Sequence, residues 1–242
     1  LPLPYNCLKQ TFNLAEAMAM STDSTRERIL QAAGEQFAND GFAQSTIRAI
    51  CCKAGVNLAA ANYYFGDKER LYIEAVKHAR RLREKQAPLP NWTGSTPADE
   101  KLRQFVLTLL RRMLCEPGDP WQTRLIIREI MEPTKACEEM VQEAFQPFFQ
   151  ILIDILREMM PETTPLHTLH HWALSVIGQC FYYRANEKIL TMLIDGEELR
   201  QQFTVEKLSE HITDVILRGL GHLPPVSRLH PVTSLRNTDD LV

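Results

Sequence analysis

Small and hydrogen-bonding side chains follow one another in a short segment of this 242-residue chain. Residues 59–61 are alanines, whose size lets a helix backbone approach base edges and whose methyl groups can pack against thymine methyl groups. The polar groups of Asn62, Tyr63 and Tyr64 come directly after them and have the length to reach phosphate oxygens. These residue types in this order indicate a surface that contacts double-stranded DNA.

Two basic residues flank this segment. Lys68 opens the next expected helix, where its charge and the exposed backbone amides can hold a phosphate group. Arg48 falls in the first turn of the preceding helix and is expected to point the same way. Both residues are therefore candidates for DNA contacts.

The elements that must position these side chains are two short helices joined by a tight turn. A helix is predicted over about residues 46–54 with Ser45 as its N-cap, and a second over about 58–64. The turn between them is built on Gly55. This arrangement is a helix-turn-helix, although a helical corner in an unrelated all-α protein is the alternative explanation.

Longer helices are expected on both sides of this unit. Ser24 and Glu27 have the spacing of a capping box, which predicts a helix that starts at Ser24 and stops at Gly41. On the other side, a long helix is predicted over about residues 68–86, and Pro88 ends it. Residues 1–23 are interpreted as a poorly ordered extension.

The distribution of charge agrees with a DNA-facing N-terminal unit. The formal net charge of the chain is −3, but residues 24–85 hold 11 Lys and Arg against 7 Asp and Glu, a balance of +4. Residues 1–23 carry −1, which leaves −6 for the remainder. A basic module on an acidic body is the asymmetry expected if one end meets phosphate, although a window of this charge also arises by chance.

Four stretches of the N-terminal part resemble the TetR/AcrR family of bacterial regulators: RERILQAAGEQFANDGF, TIRAI, AGVN and NYYFGDKERL. The resemblance covers about residues 24–72. Leu58 stands where many members have a polar or basic residue, and Asn62 where a phosphate-binding Tyr is common. The resemblance implies DNA contacts by Thr46, Arg48, Leu58, Ala59, Ala60, Asn62, Tyr63, Tyr64 and Lys68.

Beyond a linker-like stretch at residues 88–97, apolar spacing predicts helices near 98–115, 120–131, 135–160, 166–190 and 204–220. Pro147 is expected to kink or split the third of them. The chain is therefore predicted to be all-α. We expect a DNA-binding domain over 24–70, a larger helical regulatory and dimerisation domain over 71–222, and a mobile tail over 223–242.

The C-terminal part resembles the CerR-like domain of one branch of the same family, through TRLIIREIMEP, FQPFFQILIDIL and LSVIGQCFYYR. This resemblance implies a homodimer formed by the last two helices, and a small-molecule cavity. The predicted helices near 166–190 and 204–220 each carry a stripe of apolar residues, and these two stripes are the proposed dimer interface. Packing of both stripes inside the protomer core is the alternative. The proposed interface residues are Leu174, Ile177, Phe181, Leu208, His211, Ile212, Val215 and Ile216.

Polar and aromatic side chains on two C-terminal helices suggest an effector site with aromatic walls and arginines for an anionic group. Structural ion pairing of the same arginines is the alternative. The proposed ligand residues are Trp121, Arg124, Arg128, Gln179, Tyr182, Tyr183 and Arg184.

Other classes of function find little support in the sequence. No apolar stretch approaches the roughly 20 residues of a membrane span, so no membrane partner is expected. The six cysteines lack metal-ligand spacing, and no catalytic motif is present, so we expect neither a metal, a cofactor nor an enzyme. The leading hypothesis is a cytoplasmic repressor that a small molecule releases from a near-palindromic operator. A redox-responsive regulator using Cys51 and Cys52 and a helical interaction module without DNA binding are the alternatives.

Overall fold

The computed structural model describes the backbone of residues 6–114 and 121–223, and the side chains within these ranges from Ser24 onward. This part of the chain is helical and contains no strand, which confirms the all-α prediction. Its helices are α1 (Asn6–Gln44), α2 (Ile47–Ala54), α3 (Leu58–Phe65), α4 (Lys68–Gln86), α5 (Ala98–Met113), α6 (Trp121–Met131), α7 (Lys135–Met140), α8 (Gln146–Met159), α9 (Leu166–Ala185), α10 (Glu187–Leu193), α11 (Gly196–Gln202) and α12 (Val205–Gly219).

Helix α1 is longer than the sequence predicts. Its backbone is helical from Asn6, so Ser24 lies inside the helix and the predicted start at a capping box is wrong. The interruption at Gly41 is confirmed, since this glycine has a φ of 77° and a ψ of 173° within the span of α1. Residues 1–5 of the expected extension and residues 224–242 of the expected tail lie outside the described residues.

A first hydrophobic core joins α1, α2, α3 and α4 to α6 and α7. Phe37 of α1 is fully buried, and its ring meets that of Tyr72 of α4 edge-on, with centroids 4.9 Å apart. Trp121 and Leu125 of α6 are buried in the same core. The N-terminal unit therefore packs directly against helices that come much later in the chain.

A second hydrophobic core lies among α5, α8, α9 and α12. Phe105 of α5 is fully buried and stacks on Phe148 of α8, with ring centroids 4.4 Å apart. Ile212 of α12 is also fully buried there. This core holds Leu208, Ile212 and Ile216, which are part of the stripe on α12 that the sequence assigns to dimerisation.

The predicted interruption near Pro147 is present. Helix α7 passes into a π-helical turn, Val141–Phe145, and α8 then starts at Gln146 with Pro147 in its first turn. Proline fits there because the first amides of a helix have no intrahelical acceptor. The predicted helix over 166–190 joins the start of α10 to α9, and α11 is not predicted at all; neither α10 nor α11 contains a buried residue, so both lack a long apolar stripe.

Helix α4 connects the two parts of the molecule. It starts beside α3 at Lys68 and ends at Gln86, and it contacts α1, α5, α6 and α7. No helix in the described ranges has the length and apolar character needed to cross a membrane.

Candidate nucleic-acid interface and interior cavity

The turn between α2 and α3 is fixed by backbone conformation and side-chain caps. Gly55 ends α2 in the left-handed region, with φ 64° and ψ 40°, which glycine adopts without the steric cost of a Cβ. Asn57 then caps α3, because its Oδ1 accepts a hydrogen bond of 2.8 Å from the amide of Ala60. The direction in which α3 leaves the turn is therefore set locally.

The N-cap of α2 is Thr46 and not Ser45, which corrects the prediction. The Thr46 Oγ1 accepts a hydrogen bond of 3.2 Å from the Ala49 amide. Ser45 is buried, and its hydroxyl donates to the Gly41 carbonyl oxygen at 2.7 Å. Ser45 thus ties α2 to the interruption in α1.

Helix α3 has one buried face and one exposed face. Ala61 and Phe65 face the core, 2% and 5% exposed respectively. Tyr63 is 83% exposed and Leu58 is 40% exposed. Of the predicted DNA-contact residues, the exposed ones are Thr46, Arg48, Leu58, Ala59, Asn62 and Tyr63, and the half-buried ones are Ala60, Tyr64 and Lys68.

The two predicted cationic contacts have different surroundings. Arg48 is exposed, and within the described ranges its guanidinium has neither a hydrogen bond nor an ion pair. The Lys68 ammonium lies 4.6 Å from the centroid of the Phe42 ring and donates to the Ala43 carbonyl oxygen at 3.3 Å. Lys68 is therefore held at the junction of α1 and α4, whereas Arg48 projects from α2.

Other basic residues near the turn hold the unit together. Arg28 of α1 donates to the carbonyl oxygens of Ala54 and Gly55, at 2.5 and 3.0 Å, and so binds the C-terminal end of α2. Lys53 pairs with Glu35 at 2.7 Å. Burial raises the pKa of Glu35, but hydrogen bonds from Lys53 and Gln31 outweigh it, so the net pKa lies below its usual value.

A cavity of about 660 Å³ lies between the two hydrophobic cores. Its wall is formed by α4, α5, α6, the π-helical turn, α8 and α9. Aliphatic and aromatic side chains make most of the lining, which is typical of small-molecule sites. The charged lining residues are Arg80, Arg83, Glu84 and Arg112.

The seven predicted ligand residues do not line this cavity. Trp121 packs in the first core beside Gly34, with its ring stacked 6.3 Å from that of His78. Arg124 donates to Oδ1 of Asn39 at 2.7 Å. Arg128 lies against Gly41. The arginines of α6 therefore meet α1 instead of the cavity.

The predicted ligand residues of α9 are also placed elsewhere. Arg184 pairs with Glu187 at 2.5 Å, as the structural alternative anticipated. Tyr182 is exposed, and Tyr183 packs on the second core. Gln179 donates to the carbonyl oxygen of its own helix neighbour Ser175 at 3.4 Å.

Helices α6 and α9, which the sequence suggested for an effector site, both contribute to the cavity, but through residues other than the predicted ones. Helix α6 lines the cavity with Thr123, Ile126, Ile127 and Ile130, and α9 lines it with Leu174, Ile177, Gly178 and Phe181. The cavity is also lined by the π-helical turn, a kind of turn that is frequent at functional sites and that only the structure shows. The arginines of α4 and α5 carried no sequence signal, because their partners are set by tertiary packing.

The predicted dimer stripe on α12 is largely internal to the protomer. Leu208, Ile212 and Ile216 are at most 4% exposed and belong to the second core, so they are removed from the proposed interface. Val215 is 44% exposed and His211 is exposed.

On α9, Leu174 is 58% exposed, while Ile177 and Phe181 are half-buried and line the cavity. Gly219 of α12 lets this helix approach α9 closely, because a Cβ there would meet Trp172 at 2.7 Å. The exposed surface available to a second copy is therefore narrower than the sequence predicts.

Two family models match separate parts of the chain. Residues 29–75 match the model described as bacterial regulatory proteins, tetR family. Residues 98–220 match the model described as the C-terminal domain of the HTH-type transcriptional dual regulator CecR, so the domain expected as CerR-like is correctly named CecR.

Individual proteins of the same kind are similar to this chain. The HTH-type transcriptional dual regulator CecR of Shigella flexneri is 26% identical over 220 residues, which cover 85% of this chain and 96% of that protein. The HTH-type transcriptional repressor NicS of Pseudomonas putida is 40% identical over 60 residues, covering 25% of this chain and 28% of that protein.

A solved structure of a TetR-like transcriptional regulator from Rhodococcus sp. RHA1 has a similar fold, with a TM-score of 0.58 at 19% identity. The match covers 81% of this chain and 96% of that one.

Proposed function

Because the chain belongs to the TetR family of bacterial transcriptional regulators, with a C-terminal domain of the CecR type, we propose that it is a repressor released from its operator by a small molecule. In this proposal a homodimer binds a near-palindromic operator. A molecule that enters the cavity then lowers the affinity of the dimer for DNA.

The observation that carries the DNA-binding proposal is the exposed face of α3. Its backbone is capped at both ends, by Asn57 at the start and by Gly66, whose amide donates to the Asn62 carbonyl oxygen, at the end. Ala61 and Phe65 anchor the opposite face in the core. A rigid, narrow helix with small and hydrogen-bonding side chains on its outer face suits insertion into the major groove.

Dimerisation would place two such helices on successive turns of one DNA face. Half-sites then lie about 34 Å apart, and a two-fold axis in the protein produces a near-palindromic operator. The surface we propose for this contact combines Leu174 of α9 with His211 and Val215 of α12, the exposed members of the predicted stripes.

Release is proposed to act through α4. Arg80, Arg83 and Glu84 near its C-terminal end line the cavity, while Lys68 at its first turn lies beside α3. A ligand that prefers one position of α4 shifts the population toward that position. Operator affinity then falls by the ratio of the ligand's affinities for the two states.

The test is a selection of bound sequences from random double-stranded DNA, followed by titration of the enriched sequence. We expect enrichment of a sequence with two inverted half-sites, bound by two copies of the chain. The double variant Asn62→Ala, Tyr63→Ala should lose this enrichment while its helical circular dichroism is unchanged. If the wild-type chain enriches no sequence, the proposal fails and the alternative of an interaction module without DNA binding is supported.

A further inference from the structure

The cavity between the two cores has an uneven distribution of charge. Three arginines and one glutamate occur among its described lining residues, and they lie on α4 and on the last turn of α5. The remaining wall, from α6, the π-helical turn, α8 and α9, is almost entirely apolar. A ligand that matches this lining must be apolar over most of its surface and carry polarity at one place.

One arginine of the cluster is neutralised. Arg80 donates from Nη1 to both carboxylate oxygens of Glu84, at 2.9 and 2.8 Å. Its Nε is buried and has no hydrogen-bond partner among the described residues. An unpaired buried N–H costs free energy. A ligand with an acceptor atom at this position would supply the missing hydrogen bond and remove that cost.

The other two arginines have no carboxylate partner in the described ranges. Arg83 donates to the carbonyl oxygens of Arg111 and Arg112, at 2.5 and 3.1 Å, and to Oε1 of Gln86. Arg112 donates from Nε to the Ala87 carbonyl oxygen at 2.9 Å, and its guanidinium lies 4.9 Å from the centroid of the Phe148 ring. The net charge of the lining is therefore positive.

The Arg112 guanidinium is the group best placed to meet a ligand. Its terminal nitrogens have no hydrogen bond in the described part of the chain, and it lies where the basic wall meets the aromatic wall. Burial lowers the pKa of Arg112, so a nearby anion would relieve an unfavourable desolvation. Guanidinium groups bind carboxylates by paired, charge-assisted hydrogen bonds.

We infer that the cavity binds an amphipathic anion, a molecule with an apolar body and one carboxylate, whose carboxylate meets Arg112 and Arg80. The volume of about 660 Å³ falls within the roughly 300–1,000 Å³ typical of small-molecule sites. The role of this molecule as the releasing ligand rests on the proposed function, whereas its binding in the cavity does not.

The binding test uses dodecanoate and dodecanol, which share an apolar chain and differ in charge. Both are titrated by calorimetry into the full chain without DNA, dodecanoate below the concentration at which it forms micelles and dodecanol below its solubility limit. We expect dodecanoate to bind about tenfold more tightly than dodecanol, as one charge-assisted contact predicts. Equal affinity of the two, or no binding of either, would overturn the inference.

Variants locate the contact. Arg112→Gln should weaken dodecanoate more than dodecanol and so remove the preference, whereas Arg112→Lys retains the charge and should keep much of the preference. A preference that survives Arg112→Gln counts against the inference.

The cavity itself is tested by Gly178→Leu, because a Cβ on Gly178 would meet no atom within 4 Å and the added side chain enters free space at the wall. This variant should weaken both ligands. Unchanged binding would place the site elsewhere and overturn the inference.

Operator binding, measured separately on the ligand-free protein, distinguishes the two proposals. If dodecanoate binds as expected but the protein enriches no DNA sequence, the ligand inference stands and the proposed function fails. If the protein binds its operator but shows no preference for dodecanoate, the function stands and the ligand inference fails.

Discussion

The phenolic hydroxyl of Tyr72 donates a hydrogen bond of 2.6 Å to Oε2 of Glu129. Tyr72 lies in the first turns of α4, next to the helix-turn-helix, and Glu129 lies in α6, which lines the cavity. Glu129 is fully buried, and its other oxygen accepts from the amide and hydroxyl of Thr134, at 2.7 and 2.8 Å. Burial and the hydrogen bond to Glu129 raise the pKa of Tyr72 well above its usual range, so the phenol remains a donor.

Removing this donor should destabilise the fold. Tyr72→Phe leaves Oε2 of a buried carboxylate without its hydrogen bond, which is expected to lower the free energy of unfolding by about 1–3 kcal/mol. Urea unfolding monitored by circular dichroism measures the change. Tyr182→Phe is the matched control, since Tyr182 is 48% exposed and should change stability by less than about 0.5 kcal/mol. Equal effects of the two variants would exclude a specific role of the Tyr72 hydroxyl.

Lys68 and Arg48, the two basic candidates for DNA contacts, should contribute differently to DNA affinity and sequence preference. We expect Lys68→Ala to weaken binding to all sequences and to reduce the salt slope by about one phosphate contact. Arg48→Ala should cost about 1–3 kcal/mol and relax base preference at one position, because an unpaired, exposed guanidinium suits base readout.

Fluorescence anisotropy titrations distinguish these outcomes when they are repeated at several salt concentrations and with several variants of the operator. Lys188→Ala on α10 removes one charge outside the helix-turn-helix and serves as the control. An equal loss on every operator variant would show that Arg48 contacts phosphate only.

Substitutions on α12 should separate assembly from folding. Val215 is 44% exposed, so Val215→Glu is expected to dissociate the dimer while the protomer stays folded. Ile212 is fully buried, and Ile212→Glu places a charge in the second core, which should prevent folding. Met131→Glu changes an apolar residue that is 63% exposed on α6 and should leave the dimer intact. A Val215→Glu protein with the wild-type mass by light scattering would refute this interface.

His78 should make stability depend on pH. Burial lowers the pKa of His78, and the positive charge of Arg81 lowers it further. As the pH falls below about 6.5, the unfolded chain binds a proton that the folded chain resists, so the free energy of unfolding decreases. We expect a smaller decrease for His78→Gln between about pH 7.5 and about pH 5.5, measured by urea unfolding. Parallel curves for both proteins would assign the pH dependence to other groups.

The cysteines of α2 are a poor match for redox regulation. Cys51 is buried and burial raises the pKa of its thiol, which disfavours the reactive thiolate, while Cys52 is exposed on another face. We expect mild peroxide to leave operator affinity unchanged in the wild type and in Cys52→Ser. A loss of affinity that peroxide causes only in the wild type would revive the redox alternative.

Features that depend on neighbours in the chain could be read from the sequence. The left-handed turn at Gly55, the break at Gly41 and the start of α4 at Lys68 each follow from local residue types, and each is present. The start of α1 was an exception, since Ser24 continues a helix that begins earlier.

The sequence by itself determined that the chain is helical and which segment carries the DNA-binding residue types. Only the tertiary structure decided which stripe of each C-terminal helix is buried, because periodicity shows that a face is apolar but not what covers it. Ile212 therefore belongs to the core and not to the dimer surface, and Trp121 packs beneath α1 instead of in the cavity. The basic wall of the cavity could not be predicted from the sequence either, since Arg83 and Arg112 come together only when α4 packs against the end of α5.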